Sequence, residues 1–141
     1  MACIYEVIVF TASNSCYADV VLDHLDPHHR LISHRLYRES CMPTPNGMFI
    51  KDLRVIGGRD LEDMVLVDNA SYSFGQQLEN GIPIVPFYDS KQDVELMVLG
   101  KYLERLAKAP SMKEVNKKTF RLREISECAS VEEAYHLLSS N

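Results

Sequence analysis

The chain has 141 residues, 46% hydrophobic and 25% charged, with a formal net charge of −5. These proportions fit one ordinary globular domain and exclude disorder as the default reading. The acidic balance argues against direct nucleic-acid binding, which needs a concentrated basic face to neutralise phosphates.

The amino terminus has no basic segment followed by an apolar stretch, and no window approaches the ~20 apolar residues of a membrane span. The expectation is therefore a protein without a membrane segment, nuclear or cytoplasmic. Cys3, Cys16, Cys41 and Cys128 never form C-x-x-C, so a reducing compartment is expected and neither a structural zinc site nor a redox pair is suggested.

In chain order, Tyr5 to Phe10 is β-branched and apolar and reads as a strand, followed by Thr11-Ala12-Ser13-Asn14, which can cap a helix. That helix is expected from Ser15 to Leu25, with Val20, Val21 and Leu25 on one face, ending at Asp26-Pro27. Ser33 to Tyr37 reads as a short strand, and Cys41 to Ile50 as a hairpin turning at Pro45-Asn46-Gly47. "LRVIGGRDLED" carries a loop. "MVLVD" is the strongest strand and runs straight into Asp68.

"IPIVPF" reads as another buried strand, and Asp93 to Ala107 as an amphipathic helix with Leu96, Leu99, Leu103 and Leu106 at helical spacing. Ala109-Pro110-Ser111 breaks the chain. Residues 1–108 are expected to form one domain, and residues 109–141 a charged tail with a last helix from Val131 to Leu138. Strands separated by crossover-length segments predict an α/β fold, a doubly wound and mainly parallel sheet with helices on its faces.

In such a sheet ligands bind beyond the carboxyl ends of the strands. Thr11 and Ser13 reach that edge after "VIVF", and Asp68 and Asn69 after "VLV". An aspartate and an amide offer oxygen ligands to Mg²⁺, and the Thr11 hydroxyl can donate to a phosphoryl oxygen. Lys51 can neutralise the charge beside them, and Arg38 can hold an anionic substrate bidentately. Hydroxyl, cation and metal ligands together suit phosphoryl transfer; each alone has a bland reading as a cap, a turn or a surface charge. His24, His28, His29 and His34 share one stretch but match no zinc spacing, and "DPHHR" reads as a solvated turn.

The ordered blocks "YEVIVFTAS", "YADVVLDHLDP", "HRLYRESC", "NGMFIKDL", "GRDL", "MVLVDNASYSF" and "ENGIPIVPFYD" resemble the small C-terminal-domain phosphatases and their Dullard-like relatives in the haloacid dehalogenase superfamily. The resemblance implies a Mg²⁺-dependent phosphoserine/phosphothreonine phosphatase that works through an aspartyl-phosphate. Its partner would be a phosphoprotein or phosphopeptide, the RNA polymerase II C-terminal domain among the candidates.

Carried over by motif, Thr11 binds the phosphoryl group and Lys51 stabilises the aspartyl-phosphate. Asp68 and Asn69 belong to the acidic motif around Mg²⁺, and Tyr17 and Arg38 line the substrate groove. The loop "MPTPNGM" is one residue longer than the family pattern leads one to expect.

One departure is large. The family's D-x-D-x-(T/V) motif, which carries the nucleophile and the general acid, occurs nowhere in this sequence. The resemblance therefore implies an amino-terminally truncated domain lacking its first, central strand and inactive as written. The competing expectation is a non-catalytic phosphopeptide- or protein-binding module. Losing about four buried aliphatic side chains at roughly 1.5–3 kcal/mol each, against a domain stability of roughly 5–15 kcal/mol, predicts a marginal chain with exposed strand edges.

Overall fold

The computed structural model describes residues 1–140. It is an α/β arrangement in which the strands form separate pairs instead of one continuous sheet. The first pair is β1 (Ile8–Phe10) with β2 (His34–Leu36), in parallel; the second is the antiparallel hairpin β3 (Met42–Pro43) with β4 (Phe49–Ile50); the third is β5 (Leu66–Asp68) with β6 (Gly81–Pro83), again in parallel. The parallel pairs are the element of the expected sheet that is present.

The helix α1 (Ser15–Leu25) crosses from β1 to β2 with the boundaries its sequence predicts. Its buried face is the one that carries Ala18 and Leu22, one turn apart, whereas Val20 and Leu25 are 72% and 64% exposed. The expected Val20, Val21 and Leu25 face is thus the outer one. Polar contacts decide the orientation: the Asp19 carboxylate accepts from the Tyr37 hydroxyl at 2.6 Å and from Arg35 at 2.8 Å, and Arg35 also pairs with Asp23. These bonds hold one flank of α1 against β2.

The buried Asp26 carboxylate ends the helix by accepting the Arg30, Leu31 and Ile32 backbone N–H groups, each at 2.9 Å. These bonds fold "DPHHR" into a tight turn with His28 and His29 exposed.

The core sits mainly on the two faces of β5. Leu66 packs with Leu53 and Phe74 on one side, while Val65 and Val67 pack on the other against Ile82, Leu103 and Leu106. The latter leucines belong to α2 (Glu95–Leu106). Leu96, the first residue of the expected leucine stripe, is exposed.

Beyond α2 come α3 (Met112–Phe120), α4 (Leu122–Glu127) and α5 (Val131–Ser139). Met112, Val115 and Phe120 of α3 join the Ile82 cluster, so this part of the carboxyl-terminal segment is packed on the sheet. The strand expected along "IPIVPF" ends at Pro83, and Val85 and Phe87 are exposed. Proline has no N–H to continue a ladder, and Pro83 and Pro86 flank the point where pairing stops.

Candidate functional site

The carboxyl end of β1 passes into Thr11. Its N–H donates to the Leu36 carbonyl at 2.8 Å, and its Oγ1 accepts the Ser13 N–H at 3.1 Å. The hydroxyl oxygen thus closes a local turn, and the hydroxyl proton stays available for a ligand.

The carboxyl end of β5 is Asp68. This carboxylate is buried: Oδ1 accepts the Ala70 N–H at 2.8 Å, and Oδ2 is in contact with Lys51 Nζ. Lys51 directly follows β4 and is fixed through its own N–H to the Ser73 carbonyl at 2.9 Å. Both members of the ion pair are shielded, with side chains 13% and 8% exposed.

Arg38 is held above the same region from two sides. Its N–H and Nε donate to the Ser13 and Ala12 carbonyls at 3.0 and 2.7 Å, and its guanidinium carbon lies 5.3 Å from the centre of the Phe49 ring. It has no acidic partner among the described residues, so its terminal nitrogens face solvent with their donors unused.

Cys41 stands between these groups. Its buried sulfur is 3.7 Å from the Thr11 carbonyl oxygen, and its thiol feels the charges of Lys51, Arg38 and Asp68. Burial pushes the thiol pKa up, the opposite of what a thiolate nucleophile needs.

Thr11, Arg38, Lys51 and Asp68 are therefore brought together at the carboxyl ends of β1, β4 and β5. Asn69 is next to Asp68 and exposed. Tyr17 lies on the first turn of α1 and is 65% exposed, with no hydrogen bond to the other four.

Sequence reasoning did not single out Cys41 or Phe49. The signal for Phe49 was its place two residues before Lys51 on the hairpin; for Cys41 there was none, because its role depends on long-range packing. Asp68 and Asn69 supply oxygen donors of the kind Mg²⁺ prefers, an ion that usually takes few protein ligands and keeps several waters. No group of three or more His, Cys, Asp or Glu side chains is gathered among the described residues.

These features define an α/β domain with an anion-receptive site at its strand ends. The family described as NLI interacting factor-like phosphatase matches residues 1–115, and the chain belongs to that family, the C-terminal-domain small phosphatases of the haloacid dehalogenase superfamily.

Its relatives include "CTD small phosphatase-like protein 2" of Dictyostelium discoideum, 41% identical over 86% of this chain and 21% of the relative. "CTD small phosphatase-like protein 3" of Caenorhabditis elegans is 40% identical over 88% of this chain and 43% of the relative. "Mitochondrial import inner membrane translocase subunit TIM50" of Candida glabrata is 36% identical over 73% of this chain and 21% of the relative. The chain thus spans between about a fifth and less than half of these relatives. With a mitochondrial protein among them, family membership does not fix a nuclear or cytoplasmic location. No helix among the described residues is long and apolar enough to cross a membrane.

Proposed function

We propose that this chain carries the phosphate-binding and charge-stabilising half of a protein phosphoserine/phosphothreonine phosphatase. The single observation that carries the reading is the convergence of Thr11, Arg38, Lys51 and Asp68 at one edge of the strands.

Each group has a defined task. The Thr11 O–H, freed by the Ser13 turn, donates to a phosphoryl oxygen. Lys51 has three N–H donors and spends one on Asp68, leaving two for the phosphoryl group and for the carboxylate it bonds to. Arg38, pinned through Nε to Ala12, presents its two terminal nitrogens to an incoming phosphate. Tyr17, beside the loop on α1, adds a wall to the groove that holds the peptide around the phosphorylated residue.

Asp68 and Asn69 would hold Mg²⁺. When bound there, the ion would supply charge neutralisation for the phosphoryl group.

The covalent route through an aspartyl-phosphate needs a carboxylate nucleophile and an acid/base carboxylate. In the family both stand on a D-x-D-x-(T/V) strand, and this sequence has no such motif. Residues 1–141 alone therefore release no phosphate. In this reading that strand would stand between β1 and β5, which are not paired with each other.

The test is a phosphate-release assay on a phosphoserine peptide with Mg²⁺. The chain as it stands is expected to be silent, and a chain preceded in frame by a strand ending in D-x-D-x-T is expected to turn over, losing activity when the first Asp becomes Asn. Turnover by the unextended chain, or none by the extended one when it folds cooperatively, overturns the reading.

A further inference from the structure

α5 turns its larger apolar side chains away from the rest of the molecule. Val131, Tyr135 and Leu138 stand at i, i+4 and i+7, the spacing that gathers three side chains on one helical face, and they are 82%, 70% and 51% exposed. Ala134 and Leu137, on the adjoining face, are half-buried, and no residue of α5 is fully buried.

Polar bonds at its two ends, more than packing, hold this helix in place. The Ser130 hydroxyl accepts the Glu133 N–H at 3.2 Å, and the Glu133 carboxylate accepts the Ala129 N–H at 2.7 Å, which caps the amino end. At the other end Arg121 donates from Nη1 to the Leu137 carbonyl at 2.7 Å, while its Nε and Nη2 hold Glu124. Arg121 is the junction of α3 and α4, so α5 is tethered to a helix that packs on the Ile82 cluster. A nine-residue helix is marginal by itself in water. Capped and tethered, it meets a partner already formed, and binding costs little ordering entropy.

The surroundings of the stripe are acidic. Glu132 follows Val131, and Glu127 ends α4 four residues earlier; both are exposed and neither has an ion pair among the described residues. The Cys128 thiol, between α4 and α5, registers this field: burial raises its pKa first, and Glu133, Glu124 and Glu127 raise it further.

A second copy of the chain fits the stripe poorly. An aromatic side chain buries roughly 150–250 Å², so three side chains fall short of the roughly 800 Å² per partner in a standard interface. An isologous pair would also bring the two acidic surroundings together. A groove that wraps the flanks of α5 as well as its stripe makes up the missing area, and basic residues on the groove's rims answer Glu127 and Glu132. Anchors at i, i+4 and i+7 are how an amphipathic helix is read in such a groove.

We propose that α5 is a docking helix whose Val131, Tyr135 and Leu138 face inserts into an apolar groove, rimmed by Lys or Arg, on a separate protein. The inference is independent of the proposed function, since none of these residues stands at the strand ends.

The test uses the full chain and a labelled synthetic helical hairpin whose two helices form a leucine groove rimmed by lysines; a twin carries glutamates at the rims. Fluorescence anisotropy is expected to show the lysine hairpin binding at least tenfold more tightly than its twin, with hydrogen exchange slowed at the α5 amides. Val131→Ala, Tyr135→Ala and Leu138→Ala combined preserve helix propensity; they are expected to weaken binding at least tenfold and leave the unfolding midpoint unchanged. Glu127→Lys with Glu132→Lys is expected to reverse the preference between the twins.

Equal affinity for the twins, binding that survives the alanine variant, binding without protection of α5, or no binding overturns the docking role. Self-association that protects the α5 amides also overturns it, because the occupant is then a second copy. So does a lowered unfolding midpoint in the alanine variant, since the stripe would then pack within the chain.

Discussion

Lys51 and Asp68 show how much of this site rests on one buried contact. Taking two charges out of water is costly, and removing one partner leaves the other uncompensated at roughly 3–5 kcal/mol. Lys51→Met is therefore expected to lower the stability of the chain by about that amount in urea unfolding, and Asp68→Asn in the same background to recover part of it. A loss below about 1 kcal/mol for the single variant would mean that the pair is solvated.

Asp52 offers an independent handle. Its carboxylate caps the turn at Leu53–Val55 by accepting from the backbone and guanidinium of Arg54 and from Gln77, and the Arg54 contact holds its pKa down at about 2. A depressed carboxylate pKa contributes stability that is complete above the unfolded value of about 4 and is lost as pH falls towards 2. With Arg54 largely in solvent, the contribution is about 1–2 kcal/mol. Asp52→Asn should flatten the acid limb of a stability-against-pH curve by that much and leave its shape above pH 6 unchanged; an unchanged acid limb would show that Arg54 does not hold the carboxylate.

The polar members of the site were legible as residue types following apolar strands. The anchoring of Arg38 on Ala12 and Phe49 was not, since those partners are 26 and 11 positions away and meet it only once β1 and the hairpin are folded.

At the scale of elements, the chain order of strands and helices follows from periodicity and punctuation. α1 spans the residues its sequence predicts, and β2, the β3–β4 turn and β5 fall inside their expected runs. Which face is buried was less legible. In α1 Val20, Val21 and Leu25 lie outward, because Asp19 and Asp23 must meet Arg35 and those ion pairs fix the rotation of the helix. In "IPIVPF" the apolar content reads as a longer strand than the two prolines allow.

β6 also shows how close the packing of the covered half is. A Cβ on Gly81 would stand 2.6 and 2.8 Å from ring atoms of Phe74, itself 1% exposed. Phe74 has no free volume to retreat into, so Gly81→Ala is expected to cost about 1–3 kcal/mol by overpacking. Thermal unfolding reads this directly. A neutral substitution would indicate that the turn Ser71–Phe74 moves independently of β6.

The whole molecule consists of a β5-centred half that is covered on both faces and a β1–β2–α1 half that is not. Neither buried cluster includes Phe10, Ala18, Leu22 or Cys41. The halves are linked by the Tyr5 hydroxyl on the Leu103 carbonyl at 2.8 Å, by Glu6 with Arg59, and by Cys41 at Thr11. The order of the motifs was readable in advance, but the division into two halves was not. The open edges of β1 and β5 required the pairing register.

The central claim is that these residues by themselves recognise a phosphorylated side chain. Fluorescence anisotropy of a phosphoserine peptide and its serine twin, measured with Mg²⁺ against the wild-type chain and Arg38→Ala, tests it most directly. The account predicts that the phosphorylated peptide binds at least tenfold more tightly, about 1.4 kcal/mol, and that Arg38→Ala removes most of this difference without changing the unfolding midpoint. Equal affinity for the two peptides, or a preference that survives the loss of Arg38, would contradict it.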